Sequence, residues 1–426
     1  MTSSVASESN LHHKQYVVAA VEGGGTTFVA TIALIRNLHH YNHENKVSET
    51  NKDLVNIPHT PFEVLHQETI PTSTPSETLE NVANFFRKHA PEKGYDALGV
   101  ATFGPVGVNP NNKENYGCIL SGSPKKEWRN VNILSPLLKA CSSHDGSHVP
   151  LFKVETDVNA PAYAEYHYHK SSGDKSISSL AYITVGTGVG VGLIVNGKPV
   201  HGMMHPEAGH CPIIPLEGDS FAYSWGTEKS PFKGKNTVEG TASSVALSER
   251  MLQLSSLIES PAMSDREGLK DLSDDDVIWD HAANALSNLC VTLALVTSVE
   301  KIVFGGGIMN RECLFDKIRY QTKDHLNGYL DLEQFTTEKG LQEYIGPSVW
   351  KKEGAGLVGA LVLAKLAIEE QLESETSKNE VISGLQKKDD HHHYRSRFVV
   401  STVLVGVGSF ILGVLVGKRK LGKKII

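Results

Sequence analysis

Residues 16–35 read YVVAAVEGGGTTFVATIALI, and the reading of this stretch decides the fold. Val17–Val21 is a short apolar run of the kind that forms a buried strand, and Phe28–Ile35 is a second. Between them stands Glu22-Gly23-Gly24-Gly25-Thr26-Thr27. Two strands joined by glycines make a hairpin, and a plain hairpin turn is one reading. The other is a loop whose backbone N–H groups face a phosphate, because glycine has no Cβ to hold an anion away from the backbone. The segment alone leaves both open. The device recurs downstream: LAYITVGTGVGVGLIVNGKPV predicts strands Leu180–Val185 and Val189–Val195 around the turn Gly186–Gly190. Glycine clusters follow at Gly305–Gly307 and Gly354–Gly359. One glycine hairpin in each half of the chain points to two similar domains clamping a nucleotide.

A chain of 426 residues exceeds one ordinary hydrophobic core, so two domains are expected. The net charge of -7 argues against a nucleic-acid-binding surface, which needs a strong positive excess. Five scattered cysteines, none in a CxxC pair, suit reduced thiols in a cytosol-facing compartment rather than a disulfide scaffold. Residues 1–15 have no apolar signal region and read as a disordered lead. At the other end, FVVSTVLVGVGSFILGVLVG (Phe398–Gly417) is uncharged and long enough to cross a bilayer as a helix. Arg395 and Arg397 precede it and the basic tail 418–426 follows. The expected arrangement is a tail-anchored protein, with the segment 373–397 as a flexible polar tether.

Between these ends the chain alternates strands and helices. Arg36–Phe62 is polar and rich in His and Asn, and reads as a loop insertion. PTSTPSETLENVANFFRKHAPE predicts a helix capped by Ser76 or Thr78, with Leu79, Val82, Phe85 and Phe86 on its apolar face. ALGVATFGPVGV is a buried strand ending at Gly104-Pro105. LFKVETDVNAPAYAEYHYH gives a strand over Leu151–Val154 and then a helix from near Asn159 or Pro161. A long helix precedes the strand Lys301–Phe304, and EGAGLVGALVLAKLAIEEQL is an apolar helix with a glycine-rich start.

Taken in order, VEGGGTTF, ATFGPVGV, SGSPKKEW, ETDVNAPAYAE, TVGTGVGVGLIVNGKPVHG, HPEAGH, VFGGGIM and GAGLVGALVLA resemble the ROK-type sugar kinases, most closely their fructokinase branch. The resemblance covers roughly Tyr16 to Leu372 and implies an α/β fold. In it, two actin-like (ribonuclease H-like) domains hold a nucleotide and sugar cleft between them, here with one added C-terminal transmembrane helix. The implied domains are residues 16–155, with 345–372 packing back on them, and residues 156–344. The implied activity is ATP-dependent phosphorylation of a hexose, D-fructose to D-fructose 6-phosphate first. Glucose, mannose or an N-acetylhexosamine are alternative substrates. A catalytically weak, membrane-tethered sugar sensor or scaffold is the non-enzymatic alternative.

The resemblance also assigns roles. Asp157 matches the catalytic base, although Asp at a strand-to-helix junction also suits a helix cap. Gly104, Ser123, Asn159, Glu207 and His210 match substrate-binding positions. Gly24, Gly25, Thr26 and Thr27 would receive the transferring phosphoryl group, with Thr187 and Gly188 doing the same from the second domain. Gly305, Gly306 and Gly307 would admit the adenosine, and Gly354 and Gly356 open a helix nearby. Mg²⁺ is expected with the ATP. A homodimer is implied by the family alone.

Two departures stand out. The family usually has Lys after GGT, where this chain has Thr27, so a fixed cation near the phosphates is lost; Mg²⁺ or another lysine could compensate. The fructokinase branch also typically holds a structural zinc through one His and a Cys-x-x-His-x-x-Cys run. His210 matches the first ligand, but Ser230, Lys233 and Asn236 occupy the others, so neither zinc nor any other bound structural metal is expected. Packing of Phe221, Tyr223, Trp225 and Phe232 is expected to hold that loop instead. The apolar tail with its basic end favours the mitochondrial outer membrane, with ER, peroxisome and plastid envelope as alternatives and the kinase domains in the cytosol.

Overall fold

The computed structural model describes residues 15–36, 55–172, 177–219, 221, 230–258, 268–351 and 354–389. The chain divides into a compact unit, Met1–Glu373, and a second one, Ser374–Ile426. The first unit contains two mixed sheets.

The quoted stretch folds as the hairpin its apolar runs predict. Strand β1 (Tyr16–Gly23) pairs antiparallel with β2 (Thr27–Ile35), from Tyr16 opposite Ile35 to Gly23 opposite Phe28. Two further strands extend this sheet, β3 (Val55–Asn56) and β4 (Phe62–Pro71). They lie in and just after the segment expected to be a loop. β4 escapes a hydrophobicity reading because its middle, His66–Thr69, is exposed and polar while it pairs with β2 along nine positions. Helix α1 (Pro75–Lys88) follows and buries Leu79, Val82, Phe85 and Phe86 as expected. Its cap is Thr74, one turn earlier than Thr78, with Pro75 at the first helical position. Thr78 is fully buried, and its hydroxyl accepts from the Ser73 N–H at 2.9 Å.

β5 (Ala97–Thr102) and β6 (Leu151–Thr156) add in parallel beyond β1, giving the order β3-β4-β2-β1-β5-β6. Helix α2 (Asn159–Ser172) leads to the second hairpin, β7 (Leu180–Val185) with β8 (Val189–Val195), extended by the short β9 (Lys198–Pro199). After α3 (Val238–Ala242) and the long α4 (Val277–Thr297), β10 (Lys301–Gly305) and β11 (Ile345–Pro347) pair in parallel on the far side of β7. The order is β11-β10-β7-β8-β9. Each sheet thus carries an antiparallel glycine hairpin flanked by two parallel strands. The repeat seen in the sequence is a structural repeat.

The last helix, α5, spans Ala355–Asp389. Its first turns, with Ala160, Ala162 and Tyr163 of α2, fill a core that takes residues from both sheets, including Val18 and Ala101 on one and Tyr182 and Val303 on the other. The approach is so close at Gly99 of β5 that a Cβ there would overlap the Ala360 carbonyl. α5 continues through Ser374–Asp389, into the expected tether; this segment has no proline to stop the helix. Among the described residues no helix is long and apolar enough to cross a membrane, and Phe398–Gly417 lies outside them.

Candidate active site

The first glycine turn is held by its carbonyls. Thr72 donates its N–H to Thr26 O at 2.9 Å and its hydroxyl to Gly24 O at 2.9 Å, and Phe103 N–H donates to Gly23 O at 2.8 Å. Gly24 N–H closes the turn onto Thr27 O. The N–H groups of Gly25 and Thr26 find no acceptor among the described residues, so this turn presents donors outward, as an anion-receiving loop must. In the second hairpin, Gly186 N–H closes onto Gly188 O at 2.9 Å, and the Val189 N–H beside Thr187-Gly188 is occupied by a carboxylate, Glu239 Oε2, at 2.9 Å.

Asp157 sits at the β6–α2 junction, where its N–H bonds Thr102 O at 2.8 Å. The cap reading fails here, because the Thr156 hydroxyl accepts the Asn159 N–H at 3.0 Å. The Asp157 carboxylate remains for chemistry, and burial pushes it up to about 6 against the pull of its own N–H. Three further acids share the neighbourhood. Burial, then the charge of Asp157, raises Glu22 to about 7 against a hydrogen bond from Leu357 N–H at the start of α5. Burial, then Glu239 and Asp157, raises Glu207 to about 7. Glu239 is raised by burial and pulled back by the Val189 N–H and by His210, whose Nδ1 lies 3.8 Å from Glu239 Oε1. His210 also donates its backbone N–H to Glu207 O. His205 joins the lobes: its Nδ1 is 3.5 Å from Glu207 Oε1, its Nε2 accepts the Val106 N–H at 3.4 Å, and its ring lies against Gly104.

The structure places the other expected site residues as follows. Asn159 is fully buried, and both ends of its carboxamide are taken: Nδ2 donates to Glu155 at 3.0 Å and Oδ1 accepts the Leu193 N–H. These bonds brace the β6–α2 junction. Ser123 is likewise sealed inside its loop, its hydroxyl accepting the Lys125 N–H and its carbonyl accepting from Arg129 Nε at 2.6 Å. Gly356 abuts the Glu22 carboxylate, which a Cβ would overlap, so its smallness serves that acid. Gly307 and Gly354 border open space, and Gly306 has φ +88 with the Val185 backbone beside it. Phe232 is 63% exposed and does not pack the loop, whereas Phe221 lies under the Arg250 guanidinium at 4.2 Å; Tyr223 and Trp225 lie outside the described residues.

Glu22 and Glu239 were not among the expected site residues. Glu22 was legible as the acid before the glycines, but its coupling to Asp157 is tertiary. Nothing in the local sequence marks Glu239.

The donors expected at a zinc site do not fit one. His210 is engaged with Glu239, and Ser230, Lys233 and Asn236 offer a hydroxyl, an ammonium and a carboxamide where thiolate or imidazole is needed. Among the described residues no cluster of three or more His, Cys, Asp or Glu is arranged to hold a metal. Mg²⁺ fits differently: Glu22 is a desolvated acid whose ionisation a cation would favour, and the phosphates would complete its oxygen shell.

A doubly built α/β molecule with a glycine hairpin in each lobe and a cluster of acids at the lobe junction has the architecture of a sugar-kinase fold. The chain belongs to the ROK family, whose model matches residues 55–367. It is 32% identical over 302 residues to a fructokinase from Pediococcus pentosaceus, covering 70% of this chain and 89% of that one. It is 30% identical over 357 residues to a fructokinase from Zymomonas mobilis, covering 82% and 97%. Its fold resembles the ROK hexokinase of Thermus thermophilus, with TM-score 0.56 and 19% identity over 83% of this chain and 99% of that one.

Proposed function

We propose that this ROK-family chain, an ATP-dependent hexose kinase, uses fructose as its hexose and forms fructose 6-phosphate. The observation that carries the kinase chemistry is Asp157, a carboxylate released from capping, raised to about 6, and coupled to an acid beside each neighbouring feature: Glu22 before the first glycine turn and Glu207 in HPEAGH. The similarity to fructokinases supports the choice of sugar.

In this reading Asp157 accepts the proton of the attacking hydroxyl as its bond to phosphorus forms. Glu207, Glu239 and His210 hold sugar hydroxyls, because a site lined with such groups rejects analogues that leave them unpaired. Gly25 and Thr26 N–H groups receive the transferring phosphoryl group, and Thr187-Gly188 receives the remaining phosphates. Mg²⁺ arriving with ATP would be held by the phosphates and Glu22 and would supply charge neutralisation, leaving Asp157 free to take the proton. The test is ATP-dependent phosphorylation of fructose, glucose, mannose and N-acetylglucosamine by the full chain beside Asp157→Asn. Fructose turnover that disappears in the variant supports the assignment. Preference for another hexose overturns the choice of sugar, and sugar or ATP binding without turnover favours the sensor reading.

We further propose that Phe398–Gly417 tethers the kinase to a membrane with its catalytic lobes in the cytosol, the mitochondrial outer membrane first. The support is the uncharged twenty-residue run and its basic flanks. Placement beside exported ATP would suit the activity. A reporter fused to the full chain that marks ER alone refutes the mitochondrial placement. The family also favours a homodimer, which a light-scattering mass would read.

A further inference from the structure

The missing lysine at position 27 leaves a gap in the charge balance of the proposed phosphate turn. The loop SGSPKKEWRN, Ser121–Asn130, lies against that turn and is fixed to it by aromatic packing. Trp128 stacks on Phe28, the second residue of β2, with centroids 5.3 Å apart, and meets the edge of Phe103 at 5.3 Å. The Trp128 indole N–H donates to Ser73 O at 3.2 Å, beside the residue that pins the turn. Buried Ser123 and the Arg129 side chain close the loop on itself.

On this frame Lys125 is aimed at the glycines. Its Cε lies 3.4 Å from where a Cβ on Gly25 would stand, and its ammonium lies 5.6 Å from the centre of the Phe103 ring. The side chain is partly buried and has no carboxylate partner among the described residues. Its neighbour Lys126 is exposed. A lysine whose stem packs on an aromatic face, and whose charge sits unpaired beside free Gly25 and Thr26 N–H groups, is arranged to meet an anion on that turn.

We propose that Lys125 binds the transferring phosphoryl group and supplies the positive charge that Thr27 does not. The proposal rests on the kinase reading. The transition state spreads negative charge over the equatorial phosphoryl oxygens, and an ammonium held over the turn stabilises it more than it stabilises the bound nucleotide. A cation reaching in from a different loop does the work of one at the turn itself. The proton to be moved remains Asp157's task; Lys125 contributes charge and a hydrogen bond.

The test uses the full chain and four variants: Lys125→Met, Lys126→Met, Thr27→Lys, and Thr27→Lys with Lys125→Met. With the hexose that the wild type phosphorylates, Lys125→Met is expected to lower kcat roughly 10²- to 10³-fold while the sugar KM holds, the scale of losing one transition-state donor. Lys126→Met is expected to match wild type. The double variant is expected to regain at least about tenfold over Lys125→Met, since position 27 then carries the charge. A Lys125→Met kcat within about threefold of wild type overturns the proposal, as does a double variant no faster than Lys125→Met. If Lys125→Met loses its fold, Lys125→Gln keeps the stem on Phe103 and is judged by the same thresholds. A wild type that phosphorylates no hexose refutes the kinase reading instead. Lys125 is then judged by ATP affinity, where a loss of about tenfold in Lys125→Met supports it and no change overturns it.

Discussion

Replacing Glu22 by Gln should stabilise the protein at alkaline pH while damaging it as a kinase. Glu22 is the penultimate residue of β1, opposite Val29, and its carboxyl is pressed against Gly356 with a hydrogen bond from the Leu357 N–H. Burial, reinforced by the charge of Asp157, lifts it from 4.5 to about 7. The sign follows from linkage. Below pH 4.5 the acid is protonated in both folded and unfolded chains, and no cost arises. Between 4.5 and about 7 the unfolded chain ionises while the folded one keeps its proton, so stability is lost as pH rises. Above about 7 both are ionised and the full cost stands. The shift sets an upper bound on the order of 3 kcal/mol, and partial solvent access brings the expected gain to about 1–3 kcal/mol. Gln keeps an acceptor for the Leu357 N–H and removes the charge. Urea midpoints of wild type and Glu22→Gln, without nucleotide, give the answer. The variant should gain about 1–3 kcal/mol more at about pH 8.5 than at about pH 5. Its kcat with Mg-ATP should fall. A variant no more stable than wild type at the higher pH refutes the reasoning, because the N–H at the start of α5 would then outweigh burial and the charge of Asp157.

Other outcomes follow from the same site. Since Asp157 must be ionised to accept a proton and sits at about 6, kcat/KM should fall about tenfold per unit below that pH, and Asp157→Asn should lose activity at every pH; a flat profile from about pH 5 to 8 would exclude it as the base. Glu239→Gln removes a charge shared by His210 and the Val189 N–H, so the sugar KM should rise about tenfold or more, read in steady-state kinetics at saturating ATP. Gly356→Ala forces a methyl into the Glu22 carboxylate and should cost about 1–3 kcal/mol in the same urea assay. Treatment with a zinc chelator in excess Mg²⁺ should leave activity unchanged, because Ser230, Lys233 and Asn236 supply no thiolate or imidazole; inactivation reversed by zinc would refute that.

Both glycine hairpins were legible because each is local: an apolar run, glycines, and a second run that the short turn brings back beside the first. β4 was not, since its polar middle gains order from pairing with β2 rather than from a buried face of its own. The site divides along the same line. Asp157 was singled out by the resemblance, since its own segment suits a helix cap as well, and its freedom from capping depends on Thr156 taking the Asn159 N–H. The bonds of Asn159 to Glu155 and to the Leu193 N–H, which satisfy a fully buried carboxamide, are tertiary and cannot be read from its own segment. Glu239 reaches the second turn only because α3 packs beside β8. The loss of a lysine at Thr27 is visible at once in the sequence, as a change at one position of one motif. What offsets it cannot be seen there, because Lys125 arrives from a separate loop through the contacts of Phe28, Phe103 and Trp128. A motif with a missing residue therefore does not define an impaired site. The charge belongs to a point in space, and any element that packing brings to that point can supply it.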